Sequence, residues 1–73
     1  MKLAEKVRAI RDLPSPEDRR AIREAAGVSQ RDIGEELGRT RAAVSRWETG
    51  DRLPRGDDLL GYVKILRALQ DGS

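Results

Sequence analysis

Between Ser29 and Gly50 the chain reads SQRDIGEELGRTRAAVSRWETG, two apolar registers with only Gly38, Arg39 and Thr40 between them. Ser29 is placed to cap the first segment, and Asp32 three residues on can reach back to complete a capping box. Ile33 and Leu37 then recur at i and i+4, one stripe of a helix. Gly38 follows the last periodic residue, where a left-handed backbone is wanted and a side chain is not. Thr40 can cap the second segment, whose inward positions are Val44 and Trp47, and Gly50 is placed to end it. Two helices joined this closely must cross steeply, and Gly34 removes a side chain where their backbones approach.

That layout is a helix-turn-helix, whose second helix can enter a DNA major groove. With Val44 and Trp47 facing in, Arg41, Ala42, Ser45 and Arg46 are left outward. Two arginines around two small residues suit a groove floor, since Arg bonds guanine bidentately and Ala can touch a thymine methyl. The plainer alternative is a solvated helix face. The agreement of caps, turn and register favours DNA reading.

The rest of the 73 residues bounds the fold. So short a chain makes one domain and buries only about 60% of its unfolded surface. No Cys or His is present, so neither disulfides nor thiolate or imidazole metal sites are expected. Alternating β-branched runs are absent, which points to an all-α domain. Net charge is only +2, from 15 basic against 13 acidic residues. Its distribution is uneven. Arg39, Arg41, Arg46, Arg52 and Arg55 face only Glu48 and Asp51, whereas Arg31 stands against Asp32, Glu35 and Glu36 in the segment before. Positive charge thus gathers on the second helix and the loop after it, as phosphate contact requires. No leader-like or membrane-spanning run occurs, so a cytoplasmic, nucleoid-associated protein is expected. No catalytic cluster or phosphate loop stands out. No enzyme activity, cofactor, metal, small-molecule substrate or membrane partner is expected.

Along the chain, Leu3, Val7 and Ile10 predict a helix over 2–12, its stripe packing on the domain or on a second copy, and packing is favoured. Pro14 ends it. Ser15-Pro16-Glu17-Asp18 starts a second helix running to about Ala26, with Ile22 and Ala25 inward and Gly27 as its stop. After the loop DRLPRGDD, Asp57 or Asp58 is expected to cap a last helix reaching about Leu69. Leu59, Val63 and Leu66 suffice for its core face. Tyr62, Ile65 and Leu69 are surplus, and they form a candidate dimer face or lie under the N-terminal helix. The expected organisation is a single domain over 1–70, with the motif at about 30–49 and a disordered tail at 71–73.

From about Arg19 to Leu69 the chain resembles the lambda-repressor-like, Cro/C1-type (XRE) helix-turn-helix family. The stretches RRAIREAAGVSQ, DIGEELGRTRAAVSRWETG and RLP carry the likeness, with Gln30, Ile33, Gly34, Leu37, Gly38, Val44, Trp47, Glu48 and Gly50 in register. The resemblance implies five helices and a phage or bacterial regulator, most simply a repressor that reads an inverted repeat as a dimer. It places Arg41, Ala42, Ser45 and Arg46 at base edges. It puts Gln30 and Thr40 at the DNA backbone, and it implies an internal salt bridge between Arg23 and Glu48. Arg52 and Arg55, in the basic loop, are further phosphate candidates. Arg39 departs from the pattern, which has an apolar residue there. It can lay its methylenes down and point its charge at a phosphate. The N-terminal helix is also extra relative to the shortest members. The rival reading is a protein-interaction module or antitoxin built on the same fold.

Overall fold

The structure is a computed structural model, and it describes residues 2–72. These form helices α1 (Lys2–Asp12), α2 (Pro16–Ala25), α3 (Gln30–Leu37), α4 (Arg41–Thr49) and α5 (Asp57–Gln70), with no strand among the described residues. None of these helices is long and apolar enough to cross a membrane.

Local chemistry sets most of the boundaries. The Ser15 hydroxyl accepts from the Asp18 amide at 3.3 Å, and Pro16 is the first helical residue of α2. At α3 both halves of the capping box form: Ser29 Oγ accepts from Asp32 N at 2.9 Å, and the Asp32 carboxylate accepts from Ser29 N at 3.0 Å. Those bonds from Ser29 hold the Asp32 carboxyl below its ordinary range, because they favour the ionised form. Gly38 adopts φ 67°, where a Cβ would be strained, and so lets the chain turn at once into α4. Thr40 Oγ1 accepts from Ala43 N at 3.2 Å.

The start of α5 differs from expectation. Gly56, not an aspartate, occupies the cap position at φ 55° and ψ −127°, without a side-chain cap bond. Asp57 and Asp58 are the first residues of the helix itself, where carboxylates favour the positive end of its dipole. After α5, Asp71 and Gly72 form a turn, their amides bonded to Arg67 O at 3.1 Å and Leu69 O at 3.4 Å. Ser73 lies outside the described residues, as does Met1.

The core is built on α5. Ile33, Val44, Trp47, Tyr62 and Leu66 form its centre, with Ile22, Val28, Leu37 and Ile65 packed around them. A second cluster of Ala9, Leu59 and Val63 joins α1 to α5, and Leu13 touches both clusters. Tyr62 is 0% exposed and stacks obliquely on Trp47 at 5.0 Å between ring centres. This corrects its place in the candidate dimer face: the ring is spent inside the chain, in the central cluster rather than on a free face of α5. Ile65 is half-buried against the same core, and Leu69 is half-buried too.

Two further expectations are corrected. Ala25 is exposed, and α2 buries Arg19 instead. In α1 the stripe Leu3, Val7 and Ile10 points outward at 65%, 47% and 62% exposure, while Ala9 is buried. The linker explains which face turns in. Leu13 is drawn into both clusters, Arg19 Nε holds Pro14 O at 2.7 Å, and Asp12 pairs with Arg67 at 2.8 Å. These ties orient the end of α1, and Ala9 lies on the same side as Asp12 and Leu13 at ~100° per residue.

Candidate nucleic-acid interface

The turn between α3 and α4 is closed by contact with Gly34. Arg39 N donates to Gly34 O at 2.7 Å. A Cβ on Gly34 would lie 2.6 Å from Arg39 O, closer than real side chains sit. Only glycine lets the turn lie this close to α3, and that closeness fixes the angle at which α4 leaves.

Beneath α4, Val44 is 0% exposed and Trp47 5%. Two arginines of α2 hold the helix from the side. Arg19 Nη1 donates to Trp47 O at 2.8 Å while its Nε holds Pro14 O, so one buried guanidinium ties α4 to the α1–α2 linker. Burial lowers its pKa, partly opposed by Tyr62. Sequence reasoning assigned Arg19 nothing. The signal was its place at i−3 from Ile22, on the inward face of α2.

Arg23 and Glu48 form a two-pronged pair, Nε to Oε2 and Nη2 to Oε1, the second at 3.0 Å, with Arg23 Nη1 also on Val28 O at 3.0 Å. The bond to Glu48 is the main reason the guanidinium holds its proton above the ordinary value. Gln30 Nε2 donates to Glu48 Oε1 at 3.0 Å, and Gln30 Oε1 accepts from Arg41 Nη1 at 3.5 Å, a long bond. A chain of polar contacts therefore runs from α2 through α4 and α3 to Arg41 at the surface.

Outward, α4 is a ridge. Arg41, Ala42, Arg46 and Thr49 are exposed, and Ser45 is half-buried at its side. A hollow lies on each flank. One, about 450 Å³, is lined by Arg20, Arg31, Gln30, Arg41, Ser45 and Thr49 among others. The second, about 910 Å³, has Arg39, Arg46, Arg52 and Arg55 around it. The expected site residues are therefore divided. Gln30, Arg41 and Ser45 serve one flank, and Arg39, Arg46, Arg52 and Arg55 the other. Thr40 is engaged as the cap of α4.

Arg39 is less available than expected. Its Nε lies 3.0 and 2.9 Å from the two Asp58 oxygens, so its charge is met inside the chain. Three residues were missed. Thr49, i+4 from Ser45 and i+8 from Arg41, shares their flank, and the periodicity alone placed it there. Arg20 and Arg31 border the same hollow on exposed i,i+4 pairs with Glu24 and Glu35, which hold them only weakly.

A sequence model of the helix-turn-helix domain family matches residues 20–72. No curated protein and no solved structure matches the chain. The matched span takes in most of α2 and all of α3, α4 and α5, and leaves α1 outside. On that match, and on a turn and register consistent with the Cro/C1 type that its residues resemble, the chain belongs to the helix-turn-helix domain family.

Proposed function

We propose that the chain is a sequence-specific double-stranded DNA-binding regulator that lays α4 in the major groove. One observation carries this reading: α4 is anchored underneath and at its side, yet presents Arg41, Ala42 and Arg46 unobstructed on a ridge between two basic hollows. A helix with small residues on its crest and a hollow on each side matches a groove with a phosphate backbone on each side. Arg41 and Arg46 read base edges, and Ala42, Ser45 and Thr49 allow close approach. Gln30, Arg20 and Arg31 meet one backbone, Arg52 and Arg55 the other. Arg39 contributes less, because Asp58 already neutralises it. Such a regulator acts in the cytoplasm, on the nucleoid.

Repression by occlusion is the simplest mechanism, with two copies on an inverted repeat. Half-sites one turn apart stand ~34–36 Å from each other. The chain measures 33 Å along its longest axis and 25 and 20 Å across, so copies at that spacing touch when the long axis runs along the duplex. Tyr62 takes no part in such a contact; Ile65 and Leu69, both half-buried, are what is left of that face.

The test is selection of bound duplexes from a random pool, followed by variants across a salt series. Arg41→Ala should flatten sequence preference, losing about 1–3 kcal/mol of discrimination at one position. Arg52→Ala should weaken all sequences alike and reduce the salt slope by about 1. Unchanged binding in both variants refutes the assignment of this face.

A further inference from the structure

The hollow beside Arg46 contains more apolar surface than a phosphate backbone can use. Ile10 and Leu53, each 62% exposed, line it together, although they come from α1 and from the loop after α4. Lys6, Arg46, Arg52 and Arg55 stand around them. The carboxylates present are Asp51 and Asp58, the second already taken by Arg39. The apolar surface continues along α1 through Val7 to Leu3. On a helix these three side chains fall within an arc of roughly 60°. Their neighbours at the two edges of that arc are Lys6 and Arg11. Glu5 and Asp12 lie on the opposite side, and Asp12 is tied to Arg67.

We propose that this groove, between α1 and the 51–56 loop, is a docking surface for an acidic amphipathic segment of a protein partner. Apolar side chains of that segment seat on Ile10, Leu53 and Val7, and its carboxylates meet Lys6, Arg52 and Arg55, a helix-in-groove arrangement. Charge selects this occupant. A second copy pairing through α1 would set one basic rim, Lys6, Arg46, Arg52 and Arg55, against another, with Asp58 already taken by Arg39 and Asp51 too little to balance them. A bilayer needs a flat or convex apolar face, and this one is concave. A duplex offers little apolar surface to Ile10 and Leu53.

The docking stands on the groove itself. One consequence rests on the DNA reading: Arg46, Arg52 and Arg55 serve both partners, so an acidic segment seated here displaces the duplex. The site is thus a point at which a protein could release the regulator from DNA.

The experiment selects from a ribosome-displayed library of random 16-residue peptides against the full chain. Enriched peptides should be acidic, with aliphatic or aromatic residues at i, i+3 or i+4, and i+7. The double variant Ile10→Ser, Leu53→Ser should bind them at least about tenfold more weakly, since each lost aliphatic contact is worth about a tenfold factor. It should also keep its helical circular dichroism, because both residues are exposed. Its affinity for the selected duplex should stay within about twofold, as neither residue carries charge. The proposal is overturned if nothing enriches, if enriched peptides lack the acidic and apolar pattern, or if the double variant binds them unchanged. It is also overturned if Leu53→Ser abolishes a self-association of the chain, or if phosphatidylglycerol vesicles occupy the surface in place of peptide. A chain that binds the peptides but no duplex leaves the docking intact and refutes the DNA reading alone.

Discussion

α1 and α4 carry similar apolar patterns and come to opposite ends. In α4 the periodic residues Val44 and Trp47 go inside. In α1 the periodic residues Leu3, Val7 and Ile10 stay outside, and Ala9 goes in. The difference lies in what holds each helix. α4 is capped by Thr40, closed against Gly34, and tied by Arg19 and Arg23, so its rotation about its own axis is fixed at several points. α1 packs chiefly on α5, and its orientation comes from its last residues and the Leu13–Pro14 linker. Periodicity establishes that a segment is a helix; tethers decide which side of it is buried.

The sharpest way to break this comparison is to truncate equivalent-looking residues. Trp47→Ala should cost about 3–5 kcal/mol, the range for a buried aromatic, and in a domain of this size should nearly unfold the chain. Leu3→Ala, equally apolar and equally periodic, should change stability by less than about 0.5 kcal/mol. Urea denaturation of the two variants compares them directly. Equal losses would mean that α1 buries its stripe after all.

A smaller effect is expected at the turn. Gly34→Ala forces a Cβ against the Arg39 carbonyl, and the shift should cost about 1–3 kcal/mol. Thermal melting measures it, and a duplex titration should show weaker binding because α4 is re-aimed. A neutral result would mean the turn gives way freely and does not set the helix angle.

Tyr62 refines the picture of the shared core. Its hydroxyl is buried with no hydrogen-bond partner among the described residues. Burial first, then the charge of Glu48, push its pKa up from 10.0 to about 12, against the opposing pull of Arg19 and Arg23. A raised folded-state pKa for a phenol favours the neutral form. Its contribution is therefore complete below pH 10 and is lost as pH climbs toward 12. Tyr62→Phe should be neutral to stabilising at pH 7, by up to about 1–3 kcal/mol for removing an unpaired buried group. It should also shallow the alkaline loss of stability, followed by urea midpoints between pH 8 and 11.5.

What the sequence disclosed follows the range of the interactions. Caps and turns act over three or four residues, so Ser15, Ser29, Thr40, Gly38 and Gly50 could be read directly, and all five helices were placed within a residue or two. The outward set on α4 followed from the register of Val44 and Trp47. The Arg23–Glu48 pair spans α2 and α4 and was reachable only through resemblance, since no local pattern joins positions so far apart. Arg19 was missed for the same reason: its partners, Trp47 O and Pro14 O, are backbone atoms that leave no mark on sequence. The outward turn of α1 and the burial of Tyr62 depend on how α5 divides its apolar residues between two neighbours. A helix apolar on most sides announces that it is covered without saying which side goes to which partner. Gly56 as the cap of α5 was hidden behind two aspartates that are better cap formers in general but stand one and two residues too late.

The most direct measurement is duplex binding by Ala42→Glu, at the exposed crest of α4. A carboxylate there faces phosphates and base acceptors while touching nothing in the core. The variant should keep the parent melting temperature and lose affinity for the selected duplex by at least about tenfold. A variant that melts normally and binds that duplex as tightly as the parent chain would contradict it, because the crest of α4 would then lie away from the DNA.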